Sequence, residues 1–426
     1  MPSESFLELD LSIIFVLSVI LIWFMIFYQL ILTMAGFFHY RSSKKEKKKV
    51  DKLVFDFPRV TILIPAHNEE KVIAYTIEAM LKLEYPNDKL DILVINDGSS
   101  DHTADIVHGY AVKDSRLRLY NVPKGEGGKG KSRALNLGLK QTDAEYIAVY
   151  DADNTPDPSA LKYLMIQMLQ DQTLGAALGK FRTVNKKRNL LTRFINIETL
   201  GFQSMLQAGR WKMFKIATLP GTNLVIRRSL VNKLNGWDED AITEDSELSI
   251  RIYKEGYRIK YVPYSVTYEQ EPEAWNVWIK QRTRWVQGNN YVGKKFLKEI
   301  PSFKNKFLVI ELLYVFSLYY IFLVALVSSD LLFLLGGSGH VSSGLHHSCN
   351  QFIWTVYTSV DCRYRTFSDG NSPYSLIRPR GYVFQFSHCL ADVLHLLPGV
   401  DLHCRQSDLP RRHQERKTDM GENRKI

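Results

Sequence analysis

Asp97 closes the apolar run "LDILVIND", and Asp151 with Asp153 closes "AEYIAVYDAD". Further along, "TED" (243–245) and "QRTRW" (281–285) gather two acids, two arginines, a glutamine and a tryptophan into compact groups. Two carboxylates one residue apart at a strand tip can grip a hard divalent cation and leave positions for water or phosphate oxygens. The same pair also suits a helix N-cap, because Asn154-Thr155-Pro156 follows. A single carboxylate such as Asp245 can take a proton from a hydroxyl within hydrogen-bond reach. Arg284 offers a planar fork to a diphosphate, and Trp285 a flat face for stacking. One further stretch, "GEGGKGKS" (125–132), fits the nucleotide-phosphate pattern G-x-x-x-x-G-K-[ST] letter for letter.

These residues need a frame that brings them together. "RVTILIPAHNEE" (59–70), "KLDILVINDGSSD" (89–101), "RLRLYNV" (116–122) and "AEYIAVYDAD" (144–153) read as apolar, β-branched strands. Helical periods lie between them at 71–85, 102–114 and 132–140. Strand–helix alternation with strands apolar throughout predicts a mostly parallel sheet covered on both faces. Ligands of such sheets sit beyond the carboxyl ends of the strands. His67, Asn68, Asp97, Asp151 and Asp153 all fall at those ends. "SELSIRIYKEG" predicts a helix directly after "TED".

The chain has 426 residues and a formal net charge of +10, a balance that suits nucleic acid or an anionic membrane face. Two apolar runs favour the membrane. Residues 11–38 carry no charge, which is long enough to span a bilayer, and the acidic lead (Glu4, Glu8, Asp10) argues against a cleaved signal peptide. "KKEKKK" (44–49) follows and marks that side as cytoplasmic. Residues 307–335 form a second run with only Glu311 and Asp330 charged, preceded by Lys294, Lys295, Lys298, Lys304 and Lys306. The region between is expected in the cytosol. All four cysteines (Cys349, Cys362, Cys389, Cys404) lie in the tail, at spacings that match no zinc pattern. Composition changes abruptly from about Gly336, as a shifted reading frame would produce, and only Leu390 to Leu397 is apolar there.

"PAHNEE", "NDGSSD", "KSRALN", "DAD", "TED" and "QRTRW", in this order and spacing, resemble the processive family 2 glycosyltransferases of the cellulose, hyaluronan and poly-N-acetylglucosamine synthase type. The resemblance covers roughly residues 55–335. It implies a GT-A-like, nucleotide-sugar-binding α/β domain held in the cytosol between transmembrane helices. The division would be a lead (1–10), a span (11–38), a basic linker (39–54), the catalytic domain (55–270), an interfacial helical segment with QRTRW (271–305), a second span (307–335) and the atypical tail (336–426).

The resemblance also assigns roles. Asp97 and His67 would hold the uracil of a UDP-sugar, with Glu69 and Lys131 completing the donor site. Asp153 and Asp151 would hold Mg²⁺ or Mn²⁺. Asp245 would be the general base, with Glu244 and Thr222 of "PGTN" (220–223) on the acceptor side. Arg284 would meet the leaving diphosphate, Trp285 would stack on the acceptor, and Gln281 and Arg282 would close the site. Free amides after Asn68 would meet anionic oxygens. The implied partners are the UDP-sugar donor, a growing polysaccharide acceptor, membrane lipid and small membrane accessory subunits, with no nucleic acid. The implied product is a β-linked exopolysaccharide, with UDP-N-acetylglucosamine as first donor.

Three other readings compete: a non-processive transferase acting on a lipid acceptor, a membrane-bound P-loop NTPase, and a non-catalytic nucleotide-sugar-binding partner. A P-loop usually follows the first strand of its sheet, whereas here two strand–helix units precede the match. "TED" and "QRTRW" have no task in an NTPase. The phosphate-loop match is therefore read as accidental.

Overall fold

The computed structural model describes residues 2–123, 125–303, 306–316, 320–321, 323–328 and 330. The expectations for the tail and its cysteines, and the end of the second apolar run, lie outside these residues. Helix α1 (Pro2–Val50) continues past the apolar stretch through the lysine run. Its segment Val16–Val50 is, among the described residues, the one helix long and apolar enough to cross a membrane. Of the second run, α11 (Lys306–Phe316) is the main described piece.

The strand–helix alternation runs as expected. β1 (Val60–Ala66), α2 (Ile73–Leu81), β2 (Leu90–Asn96), α3 (Thr103–Ala111), β3 (Leu117–Asn121), α4 (Lys131–Leu139) and β4 (Tyr146–Val149) follow one another. Then come β5 (Thr155–Pro156), α5 (Ala160–Gln170), β6 (Leu174–Thr183), α6 (Leu190–Gly201) and α7 (Ala208–Phe214), with a π-helical turn over 202–207 joining the last two. β7 (Leu224–Arg227), α8 (Arg228–Lys233), α9 (Glu244–Lys254), β8 (Arg258–Glu269) and α10 (Trp275–Leu297) complete the domain.

Eight strands form one sheet in the order β3-β2-β1-β4-β7-β6-β8-β5. β3, β2, β1 and β4 are parallel, as their helical crossovers require. β6 and β8 pair parallel as well, so six of the eight strands point one way and the sheet is mostly parallel, as expected. β7 runs antiparallel to both β4 and β6, and β5 antiparallel to β8. Ile62, Leu63, Ile64, Ile92, Leu93, Ile95 and Ile147 are essentially inaccessible, the signature of strands covered on both faces. The residues after Asp153 are not a helix start. Thr155 and Pro156 pair with Tyr268 and Thr267 at the sheet edge, where a missing proline N–H costs no ladder bond.

Candidate active site

The turns after β1 and β2 are stitched together before any ligand arrives. Asn68 adopts a left-handed conformation (φ 60°), and its amide donates to Ser99 Oγ at 3.0 Å. The Glu69 amide donates to Thr103 Oγ1 and the Glu70 amide to Asp101 Oδ2. α2 begins only at Ile73, so the amides expected to meet an anion after Asn68 are already used inside the protein. His67 is exposed, and its Nδ1–H donates to the Asp97 carbonyl at 2.8 Å; a carbonyl can only accept, which sets the tautomer.

Asp97 is buried at 5% exposure. Its Oδ1 accepts from the Gly128 amide at 2.9 Å and its Oδ2 from the Gly130 amide at 3.4 Å. The glycine loop thus lies on the Asp97-Gly98 turn, backbone on backbone. A Cβ at Gly127 would come within 2.9 Å of the Gly98 Cα. In a phosphate loop such amides stay open for the ligand; here two of them are directed at a carboxylate of the same chain. Ser132, where that motif needs a metal-facing hydroxyl, is buried at 6%.

Lys131, at the first turn of α4, points into the centre of the cleft. Its Nζ lies 2.5 Å from Asp151 Oδ1, 2.8 Å from the Gly221 carbonyl and 3.8 Å from Glu244 Oε1. Burial acts to lower the Lys131 pKa, but Asp151, Glu244 and Asp245 outweigh it and raise the ammonium above its ordinary value. One cation therefore joins the tip of β4 to the start of α9.

Around Asp153 the carboxyl groups are crowded and short of positive charge. Burial and then Asp151 raise Asp153. Burial, Asp153 and Asp151 push Glu69 up to about 7. Two further acids, absent from the sequence expectations, belong to this group. Glu269 at the end of β8 is raised well above its ordinary value by burial, Glu271 and Asp153, and burial takes Glu271 to about 7. Their alternation in "YEQEPE" was a visible signal, since strand period places both on one side.

Oxygen donors that repel one another fit a hard divalent cation. Among the described residues, however, no three such groups converge as a ready-made cage. Asp153 and Asp151 would therefore hold such a cation together with oxygens from elsewhere, where it would supply positive charge to a bound diphosphate.

Thr222, expected on the acceptor side, is 2% exposed. Its hydroxyl donates to Asn154 Oδ1 at 2.8 Å and accepts from the Asp151 amide. It braces the Asp151–Asp153 turn from behind, so no acceptor can reach it.

Glu244 and Asp245 open α9. Asp245 is pushed up to about 7, first by burial and then by Glu244, and its Oδ1 accepts from the Ser246 amide at 2.7 Å. Glu244 is raised by burial, while Lys131 and the Arg284 guanidinium pull the other way. On α10, Arg282 is wedged in place. Its Nη2 donates to Glu198 at 2.6 Å, and its guanidinium lies 4.0 Å from the Trp285 ring centroid and 5.6 Å from that of Trp278. Two of its nitrogens and the Gln281 Oε1 are buried with no hydrogen-bond partner. Trp285 itself is 41% exposed. Lys131 thus ties Asp151 to Glu244 beside Asp245, and Glu69, Asp151 and Asp153 lie near enough to act on one another.

Residues 58–288 match the family described as "Glycosyltransferase like family 2". A probable glycosyltransferase of Bacillus subtilis, YdaM, is 47% identical over 322 residues, which is 76% of this chain and 77% of that protein. A poly-beta-1,6-N-acetyl-D-glucosamine synthase of Staphylococcus aureus is 34% identical over 253 residues, 59% of each chain. Among solved structures, a mannosyltransferase from Pyrobaculum calidifontis, in complex with GDP-Man and Mn²⁺, matches with a TM-score of 0.54 at 22% identity. That match covers 87% of this chain and 99% of the other, and it is a likeness of fold.

Proposed function

The chain belongs to glycosyltransferase family 2, and on that premise we propose a membrane-held, inverting enzyme that extends a β-linked polysaccharide from a UDP-sugar. What carries the reading is Lys131, whose ammonium reaches both Asp151 and Glu244 and so draws the cation-binding pair and the base into one cleft. UDP-N-acetylglucosamine is the first donor to test, because the staphylococcal relative is named for that sugar's polymer. The outward-facing apolar side chains of α1, among them Leu17, Ile20, Phe24, Phe27 and Phe38, support attachment to a bilayer.

In this mechanism Asp97 and His67 hold the base of the donor nucleotide. Lys131 keeps Asp151 oriented beside Asp153. Mg²⁺ or Mn²⁺ on Asp153 and Asp151, when bound, supplies the charge that stabilises a departing diphosphate. Arg284 adds a cation on the same side. Trp285, backed by Arg282, offers its exposed face to the acceptor sugar. Asp245 takes the proton from the acceptor hydroxyl as the oxygen forms its bond to the anomeric carbon and the carbon–oxygen bond to UDP breaks. One displacement inverts that carbon, so an α-linked donor gives a β-linked product.

The test is incubation of membranes with several radiolabelled UDP-sugars and Mg²⁺ or Mn²⁺, comparing the native chain with Asp245→Asn. One sugar should enter polymer, EDTA should stop incorporation, and the variant should lose it. Transfer of a single residue to lipid would instead establish the non-processive reading. Equal incorporation by both proteins would remove Asp245 from the base role.

A further inference from the structure

A glycine in mid-helix weakens the helix, so an isolated one calls for a packing reason. Gly288 sits inside α10, one turn beyond Trp285. A Cβ built there would stand 2.5 Å from Thr243 Cγ2, 2.7 Å from Thr243 Oγ1 and 2.9 Å from the Thr243 amide nitrogen. The bare backbone of the QRTRW helix therefore rests on the residue that precedes Glu244 and Asp245.

Thr243 is the N-cap of α9, yet its side chain makes no capping bond, and its hydroxyl is buried without a partner. Asp245 satisfies the Ser246 amide itself. The first turn of α9 thus lacks the usual side-chain anchor, and contact with α10 takes that place. Beyond Gly288, α10 is pinned to the same region. Tyr291 donates to Asp238 at 2.9 Å, Lys295 bridges Asp238 and Glu247, and Val292 and Phe296 pack with Ile250 of α9. Before Gly288 the helix is largely exposed, with Trp275, Ile279 and Trp285 open to the surroundings.

We infer that Gly288 is a positioning residue, which sets the distance between the Asp245 carboxylate and a hydroxyl held on Trp285 by letting α10 touch Thr243 directly. The inference rests on the glycosyltransferase reading above. An added methyl lifts α10 from α9 at a contact three residues from the stacking face on one side and two residues from the base on the other. Displacements near 1 Å cost about 100-fold in rate when reacting groups must align.

The experiment uses the full chain in its membrane, with the UDP-sugar that the native protein incorporates. Gly288→Ala should lower kcat about 100-fold with donor KM close to native, since the Asp97 side of the cleft is untouched, while crowding lowers the melting temperature by only a few degrees. Gly288→Ala combined with Thr243→Gly removes both side-chain atoms that the alanine strikes, leaving only the amide nitrogen close, and should recover about tenfold of the loss. Native kcat in Gly288→Ala overturns the inference. So does a parallel loss of folded protein or donor affinity, or a double variant no better than the single one. A native chain inactive with every UDP-sugar overturns the functional reading as well, for then there is no base to position.

Discussion

On the β1–β2 wall of the cleft, polar groups have found partners within the protein. Asp97 accepts from two glycine amides, Asn68 bonds to Ser99 and Ser100, and Asp101 holds Glu70 and Thr103. The α9–α10 wall is different. Arg282 and Gln281 keep buried polar atoms without partners, Thr243 has an idle hydroxyl, and Asp245 holds its proton up to about 7. Buried polar atoms left unpaired cost stability, and native proteins retain them chiefly where a ligand or a reaction uses them. On the proposed mechanism the first wall would bind with little rearrangement and the second would act. Substitutions should separate the two, affecting KM for the donor on one side and kcat on the other.

The largest effect belongs to Asp245→Asn. Loss of a general base costs about 10²- to 10⁴-fold, so we expect kcat to fall roughly 10³-fold while donor KM stays within about twofold. Steady-state rates of sugar incorporation measure both. A rise in KM of the same size would merge the two walls into one functional unit. Next comes Asp97→Ala, which removes a buried carboxylate and frees the Gly128 and Gly130 amides. It should raise donor KM about 30-fold with a lesser change in kcat, and UDP titration by calorimetry should record the same loss. Trp285→Ala is smaller, about tenfold, because one stacking face contributes on the order of 1 kcal/mol. Its signature should be shorter polymer at unchanged donor affinity, read by product sizing.

The donor wall was largely legible because its signals are local. Continuous apolar runs and period-3.6 patterns pointed to β1 to β4 and the helices between them, and strand ends marked His67, Asp97, Asp151 and Asp153. The partner of Asp97 was not legible, since Gly128 lies 31 residues away and its glycines suggested a phosphate instead. The other wall depends on longer range still. Glu269 and Glu271 join Asp153 only through the β5–β8 pairing, and Thr222 turns inward because Asn154 and the Asp151 amide claim its hydroxyl. The antiparallel placement of β7 followed from no pattern in its own four residues. Residue type singled out QRTRW, in which Arg282 packs on Trp285, but not Glu198 as the anchor that fixes the arginine.

The raised Asp245 also predicts how rate depends on pH. A base must be ionised, so kcat should fall about tenfold per unit as pH drops below about 7 and level off above it. Glu69 and Glu271, both near 7, charge over the same interval and strengthen the hold on a divalent cation, so the rise should be steeper at low Mg²⁺ than at saturation. A profile flat from pH 5 to 8 at saturating metal would mean that Asp245 is ionised well below 7 and the reactive wall is less strained than its burial implies.

The smallest effect links that strain to stability. Inside the fold Asp245 binds its proton more tightly than in the unfolded chain, where an aspartate titrates near about 3.9. The stability this contributes is complete below the unfolded value and is lost as pH rises to about 7, above which a charged, buried carboxylate must be carried. Asparagine carries no such charge. Asp245→Asn should therefore melt higher than the native protein by about 3 °C at pH 8, with the gain growing between roughly pH 4 and 7 and constant beyond. Asp97→Ala should melt lower at every pH, because it strips partners from the glycine loop. Thermal scans across this range distinguish a wall that gains stability when its reactive acid is removed from one that loses it.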